Sequence, residues 1–262
     1  MLIVFLKMFN EILLSIVQAA TEFLPISSSG HLALVSLLLK QQPNLFFITL
    51  LHLASLLAVL IFVRKEILAL FKFDKAARKL WLYLIIATIP GALVGYFLKD
   101  TIESVFGSLL FLGIAFLFTG FVLFSTKFFM KKEHNKTSNI KNSIFIGIFQ
   151  ALAIFPGVSR SGMTVSSSIF SGFDREKAVK FSFLLFIPIS LGAFLFEVKD
   201  VVFGNLLLNV SVFPLIISFI ICLVLSLLFL NLLFYIVKKD GFWLFSLYCW
   251  LIGILCLIFY FL

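Results

Sequence analysis

The sequence predicts an all-α integral membrane protein with six transmembrane helices and two re-entrant helix-loop-helix hairpins, arranged as an inverted-topology repeat. Three observations support this prediction. Of the 262 residues, 62% are hydrophobic and 13% are charged, and the mean hydropathy is +1.19, which a water-soluble domain of this size could not expose. Long apolar runs recur along the chain. Two related serine motifs interrupt shorter apolar pieces.

Six apolar runs have the length of roughly 20 residues that a membrane-spanning helix needs. They are residues 45–63, 80–98, 105–126, 178–196, 212–237 and 243–262. Four other apolar pieces are short or contain acidic residues, namely residues 2–23, 32–39, 142–155 and 163–171. They form two pairs, and each pair meets at a proline and a serine motif. Because irregular backbone at membrane depth must be enclosed by protein or line a cavity, we expect each pair to be a re-entrant hairpin.

The basic residues indicate the topology of the chain. If both hairpins return to the side from which they enter, most Lys and Arg residues fall on one side, in the segments 64–79, 127–141, 175–180 and 238–239. The positive-inside rule assigns that side to the cytoplasm. Both termini are therefore predicted outside, with the first hairpin entering from outside and the second from the cytoplasm. These loops also account for the formal charge of +9, so no nucleic-acid partner is expected.

The repeat is visible in the two serine motifs. Residues 16–30 align with residues 148–162 at a shift of 132 positions, and the identical pairs are Ile16/Ile148, Gln18/Gln150, Ala19/Ala151, Phe23/Phe155, Ser27/Ser159, Ser29/Ser161 and Gly30/Gly162. In this alignment Ser28 lies opposite Arg160, so the two copies carry different chemistry. We expect a single membrane domain, 1–262, that consists of repeat 1 (1–130) and repeat 2 (140–262).

Arg160 is the most informative residue of the second motif. A guanidinium in mid-membrane costs at least ~2.5 to 3.5 kcal/mol and therefore needs an anion. One interpretation is a structural ion pair with Glu22. We favour a phosphate ligand, because hydroxyl groups and the start of a short helix surround the arginine, and both attract phosphate. The substrate-binding residues predicted in this motif are Arg160, Ser159, Ser161 and Thr164.

The first motif supplies a second helix start. Ser27, Ser28 and Ser29 are favourable N-cap residues for the helix that continues through Leu32, so a second positive helix end is predicted to point inward. Serine runs also occur as plain caps, but two related caps, one of them with an arginine, favour a binding role. Ser29 and Gly30 are assigned to substrate binding at this tip.

Glu22 and His31 are candidates for proton transfer. Glu22 ends a polar stripe on one helix face, and it is either a structural acid or a metal ligand or proton-transfer group. His31 follows Ser28 by three residues and Ser27 by four, so either hydroxyl can share its helix face. A lone histidine in an apolar segment usually packs, but hydroxyl nucleophiles one turn away favour a general base. Ser28 is the preferred nucleophile because it aligns with Arg160, and Ser27 is the alternative.

The stretches QAATEFLPISSSGH (18–31), PGVSRSGMT (156–164) and FSFLLFIPISLGA (181–193) resemble the bacterial undecaprenyl-diphosphate phosphatases of the bacitracin-resistance type. The resemblance implies hydrolysis of a lipid diphosphate carrier to its monophosphate in the bacterial inner membrane, so that the carrier is reused in cell-wall synthesis. The residues that match the family's motifs are Gln18 and Glu22 for its acidic motif, Ser28 and His31 for its serine and histidine, and Arg160 for its arginine.

The same resemblance implies a divalent cation, Mg²⁺ or Ca²⁺, at Gln18 and Glu22, and a polyprenyl diphosphate that enters from the surrounding membrane lipids. Glutamine at position 18 leaves one carboxylate where some members have two. In the predicted mechanism, Arg160 and the two helix starts bind the diphosphate, while Ser28, deprotonated by His31, attacks the terminal phosphorus. Direct attack by water is the mechanistic alternative. The site is predicted to open outward.

Two other functions are compatible with the predicted architecture. A lipid-carrier flippase or secondary transporter is one, because inverted repeats with broken helices are typical of transporters. A noncatalytic lipid-binding protein is the other. The combination of Ser, His, Glu and Arg favours the phosphatase, because transport alone does not require a nucleophile beside a base. The sequence is also compatible with a homodimer.

Overall fold

The computed structural model describes residues 2–39, 45–129, 139–203 and 212–262, and every regular element in these ranges is helical. The helices are α1 (Leu2–Phe23), α2 (Ser28–Leu39), α3 (Leu45–Phe62), α4 (Arg64–Leu70), α5 (Lys75–Phe97), α6 (Lys99–Val105), α7 (Leu109–Thr126), α8 (Ile140–Leu152), α9 (Arg160–Phe170), α10 (Arg175–Phe203), α11 (Val212–Lys238) and α12 (Phe245–Phe261). A 3-10 turn, Phe242–Leu244, precedes α12. The prediction of an all-α protein is confirmed.

Five helical segments are long and apolar enough to cross a membrane, within the part of the chain that the structure describes. They are Lys75–Phe97, Leu109–Thr126, Arg175–Leu195, Val212–Lys238 and Phe242–Phe261. A sixth span results if Phe46–Phe62 and Arg64–Leu70 count as one, although the two pieces are bent by 73°. The bend falls where the apolar run at 45–63 gives way to Arg64 and Lys65. The multi-span membrane architecture is thus confirmed, with five to six spans.

The remaining apolar pieces form two helix pairs, each with a break at a serine motif. Pro25 lies in the break between α1 and α2, and Pro156 lies in the break between α8 and α9. Proline lacks the N–H that a continuing helix requires, which favours a break in each pair. The chain then turns through left-handed backbone, at Ser27 (φ 69°) in the first break and Gly157 (φ 88°) in the second. Both breaks are therefore built into the local sequence.

The helix pair α7–α12 supports the second break. The two helices approach each other closely at glycine residues. A Cβ built on Gly113 would lie 3.1 Å from the Gly253 carbonyl oxygen, and one built on Gly120 would collide with the indole of Trp250. Small residues allow this close packing in membranes. From α7, the Thr119 hydroxyl donates a hydrogen bond to the Gly157 carbonyl (3.1 Å) and accepts one from a backbone N–H of the second break. The α7–α12 pair is thus a support for the site.

Candidate active site

The two serine motifs lie against each other. Ser161 Oγ donates a hydrogen bond to the Leu24 carbonyl oxygen at 3.3 Å. A Cβ built on Gly30 would lie 2.9 Å from Cα of Gly157, so the two breaks are in backbone contact. Residues that lie 132 positions apart in sequence therefore contribute to one cluster of polar groups inside an apolar helical protein.

Glu22, at the end of α1, is the centre of this cluster. Its Oε1 accepts a hydrogen bond from Arg160 Nη2 at 2.8 Å. Its Oε2 accepts from Ser28 Oγ at 2.5 Å and from Gln18 Nε2 at 2.9 Å. The Glu22 side chain is only 2% exposed, whereas that of Arg160 is 28% exposed. The buried carboxylate therefore neutralises the partly exposed arginine and also binds the hydroxyl of the preferred nucleophile.

Arg160 has two further contacts, both with α10. Its Nη1 donates a hydrogen bond to Ser190 Oγ at 2.7 Å, and its guanidinium lies over the ring of Phe186, 4.5 Å from the centroid. Cation–π contacts of this kind are stronger where water is excluded. One turn further back on the same helix face, Ser182 Oγ is 2.5 Å from Thr164 Oγ1. Sequence reasoning missed Ser182, Phe186 and Ser190, although their four-residue spacing in an apolar helix is a recognisable signal.

The serine hydroxyls repeat the same contacts in both motifs. Ser27 Oγ accepts a hydrogen bond from the Gly30 N–H (3.3 Å), as Ser159 Oγ does from the Gly162 N–H (3.1 Å). The next contact also recurs, with Ser27 and Ser29 hydroxyls 3.3 Å apart and those of Ser159 and Ser161 3.2 Å apart. Ser27 and Ser159 are thus the N-caps of α2 and α9. Among the three serines of the first motif, Ser28 is the one whose hydroxyl contacts Glu22.

His31 has two partners that sequence reasoning did not anticipate. Its Nδ1 is 2.7 Å from the Ser27 carbonyl oxygen, and its Nε2 is 2.8 Å from the hydroxyl of Tyr248, on α12. Within the described residues, neither ring nitrogen is hydrogen-bonded to a serine hydroxyl. The backbone carbonyl four residues earlier in the first turn of α2 competes for the imidazole. The proton acceptor that touches Ser28 is accordingly Glu22.

A narrow cleft lies beside the arginine. It is lined by Glu22, Arg160, Thr164, Ser182 and Phe186, among other residues. Its walls thus combine a guanidinium, hydroxyls and aromatic carbon. This combination suits a phosphate group that is attached to an apolar chain.

Gln18 and Glu22 carry the oxygen atoms at which the sequence predicts a divalent cation. The Gln18 carbonyl oxygen is buried and without a partner among the described residues, while its amide nitrogen is bonded to Glu22. No group of three His, Cys, Asp or Glu side chains suitable for a metal occurs in the ranges that the structure describes. Mg²⁺ commonly binds one or two carboxylates and completes its shell with substrate phosphates. One carboxylate and one amide oxygen fit that mode of binding.

The fold and the site define a multi-pass helical membrane protein in which one buried carboxylate is shared by an arginine and a serine hydroxyl. The chain matches the family model described as bacitracin resistance protein BacA over residues 11–255, and it belongs to that family. The resemblance inferred from the motifs is thus confirmed.

Similar proteins named undecaprenyl-diphosphatase cover nearly the whole chain. The protein from Thermosipho africanus is 41% identical, with 94% of this chain and 98% of the relative covered. The protein from Alkaliphilus metalliredigens is 39% identical, with 96% and 98% covered. The protein from Methanosphaera stadtmanae is 38% identical, with 97% and 98% covered.

Proposed function

We propose that the protein is a membrane-embedded phosphatase that hydrolyses undecaprenyl diphosphate to undecaprenyl phosphate and inorganic phosphate. The reaction returns the lipid carrier to cell-wall synthesis and supports resistance to bacitracin. The observation that carries this proposal is the set of Arg160, Glu22 and Ser28, joined by hydrogen bonds of 2.8 and 2.5 Å around the buried Glu22 carboxylate, in a chain whose relatives bear the name undecaprenyl-diphosphatase.

Binding begins with an exchange of partners at Arg160. The terminal phosphate of the substrate replaces Glu22 on the guanidinium, whose second nitrogen stays bonded to Ser190. Planar guanidinium groups match phosphate oxygens, and the starts of α2 and α9 add positive helix ends. Ser159, Ser161 and Thr164 contribute hydroxyls at the second tip, and Ser29 and Gly30 contribute backbone at the first. The apolar tail remains in the membrane.

The exchange prepares Ser28 for attack. The serine oxygen forms a bond to the terminal phosphorus, its proton passes to Glu22 Oε2, and the bond to the bridging oxygen breaks, so that undecaprenyl phosphate leaves with both bridging electrons. Water then attacks the phosphoserine and gives a proton to His31, while the bond between phosphorus and the serine oxygen breaks. The serine oxygen takes back the proton held by Glu22, and inorganic phosphate is released. Ser27 is the alternative nucleophile, and direct attack of water on the diphosphate is the alternative route. Trapping of a phosphoserine distinguishes these routes.

A divalent cation fits this site. Glu22 and Gln18, whose side-chain carbonyl oxygen has no partner in the described part of the chain, would hold Mg²⁺ or Ca²⁺. When bound, such an ion neutralises charge on the phosphates. Glu22 and Gln18 otherwise act through their hydrogen bonds.

The membrane arrangement is part of the same proposal. Two re-entrant hairpins, α1–α2 and α8–α9, belong to repeats 1–130 and 140–262 of opposite orientation, with both termini outside and the site open to the outside. Two observations support the repeat. The N-cap hydrogen bonds recur at a shift of 132 positions, and the packing of α1 against α11 is matched by the packing of α8 against α5. The basic loop residues support the orientation.

Phosphate release from a polyprenyl diphosphate in detergent tests the activity. The wild type should release phosphate, and Ser28→Ala should not. Ser218→Ala is a matched control, because Ser218 is a buried serine on α11 whose hydroxyl has no partner in the described part of the chain. Full activity of Ser28→Ala and of Ser27→Ala would remove the serine mechanism, and an inactive wild type would contradict the phosphatase.

Cysteine labelling in intact cells tests the orientation. Lys99→Cys should react with an impermeant maleimide from outside, whereas Lys72→Cys should react only after permeabilisation. The native thiols Cys222, Cys249 and Cys256 are buried, so their background should be low. The reverse pattern would invert the proposed topology.

A further inference from the structure

We propose that Tyr248 is a positioning residue for His31: its hydroxyl holds the imidazole in one tautomer and one orientation in the active site. This inference rests on the proposed phosphatase function only in assuming that His31 takes part in turnover. The hydrogen bond between the two side chains can be tested independently of any activity.

The partners of the two ring nitrogens determine the tautomer. A backbone carbonyl oxygen can only accept a hydrogen bond, so the nitrogen beside it must carry the proton. His31 Nδ1, 2.7 Å from the Ser27 carbonyl, is therefore an N–H group. In the neutral ring Nε2 is then the acceptor, and the Tyr248 hydroxyl, 2.8 Å away, is its donor. Nε2 is consequently the ring nitrogen that can take a proton during turnover.

Two aromatic rings fix the orientation of the imidazole. The ring of Phe116, from α7, meets it edge-on with centroids 5.3 Å apart and planes at 90°. The ring of Tyr248 lies nearly parallel to it, with centroids 5.6 Å apart and planes at 12°. Because α7 and α12 are in close contact through Gly113 and Gly253, both rings come from one rigid helix pair. A site supported by packed helices holds its geometry better than one on loops.

A role in packing alone is the competing explanation for Tyr248. A packing role would be served equally well by phenylalanine, and the hydroxyl would have no effect on the imidazole. A positioning role requires the hydroxyl. The residue is 38% exposed, so it lies at the edge of the cluster, where it can hold Nε2 until water or substrate replaces it. The two explanations therefore differ in what Tyr248→Phe does to His31.

Nitrogen NMR reports on His31 directly. The chain has three histidines, so ¹⁵N-histidine labelling of the full-length protein in detergent gives few signals, and His31→Gln identifies those of His31. We expect a protonated Nδ1 and a hydrogen-bonded Nε2 in the wild type. In Tyr248→Phe the chemical shift of Nε2 should move to the value of an unprotonated ring nitrogen that accepts no hydrogen bond. Tyr260→Phe, the same change on the same helix, should leave it in place.

Kinetics then test whether the positioning matters. A neutral hydrogen bond contributes about 0.5–1.5 kcal/mol, which corresponds to a decrease of about two- to tenfold in kcat for Tyr248→Phe. KM should stay within about twofold, because Tyr248 acts through His31 and does not bind the substrate. Tyr260→Phe should retain wild-type kcat and KM.

Each other result contradicts the proposal. An unchanged Nε2 signal in Tyr248→Phe would exclude the hydrogen bond, and a moved signal with wild-type kcat would exclude its role in catalysis. A raised KM at constant kcat would make Tyr248 a substrate contact instead. If the wild type released no phosphate, the proposed function would fail, whereas the NMR comparison would still decide whether Tyr248 positions His31.

Discussion

Replacement of Ser190 by alanine tests how strongly α10 orients the arginine that is proposed to bind phosphate. Ser190 Oγ accepts a hydrogen bond from Arg160 Nη1 at 2.7 Å, and Ser190 is 8% exposed. A hydrogen bond to a charged group contributes about 1.5–3 kcal/mol. Because the Arg160 side chain is 28% exposed, water can replace part of this contact, which favours the lower end of the range. We therefore expect kcat/KM to fall about tenfold.

The loss should appear in KM rather than in kcat. Ser190 contacts the arginine and not the phosphorus. Because the arginine is proposed to bind phosphate in the substrate complex as well as in the transition state, Ser190→Ala should weaken both equally. The measurement is phosphate release over a range of polyprenyl diphosphate concentrations, with Ser218→Ala as the control for loss of a buried serine. A wild-type KM in Ser190→Ala, or an equal rise in both variants, would refute the role of Ser190.

Three further changes test the base, the cation and the helix support. Glu22→Gln keeps the shape of the side chain but removes the proton acceptor of Ser28, so kcat in the phosphate-release assay should fall about 10²-fold or more. An unchanged kcat would exclude Glu22 as the base. A chelator should abolish phosphate release and added Mg²⁺ or Ca²⁺ should restore it, whereas full activity in the chelator would contradict a cation requirement. Gly120→Ala should lower the free energy of unfolding by about 1–3 kcal/mol, because its Cβ collides with Trp250. Gly107→Ala, where nothing lies within 4 Å of a Cβ, should not, and equal thermal unfolding of the two variants would contradict the close packing of α7 and α12.

The helical membrane architecture could be predicted from the sequence because lipid imposes a length and a composition on each span. The run at 212–237, for example, is one helix, Val212–Lys238, with bounds almost as predicted. The bend in the region 45–70 could not be predicted from the sequence. The apolar run predicts a span over residues 45–63, but composition does not predict the direction of the next segment, and the structure bends by 73° there.

The contacts of the candidate site followed from the sequence only in part. The alignment of Ser28 with Arg160 predicted that the two motifs would meet, and Glu22 lies between these residues. The partner of Ser28 could not be predicted, because helical spacing places His31 near the serines without showing which acceptor its ring prefers. Contacts between distant segments leave no local pattern at all. Tyr248, 217 residues from His31, is one aromatic residue among many in an apolar helix.

Glu22 explains how one site can be neutral at rest and reactive when occupied. Without substrate, its two oxygens are divided between Arg160 and Ser28, so neither a free guanidinium nor a free carboxylate is buried in the membrane protein. Removing one partner of such a buried pair typically costs about 3–5 kcal/mol, which disfavours opening by itself. The proposed exchange avoids that cost for the arginine, because a substrate phosphate takes the place of the carboxylate. In the proposed mechanism, the displaced carboxylate is already in contact with the Ser28 hydroxyl, so binding of the substrate and activation of the nucleophile are the same event.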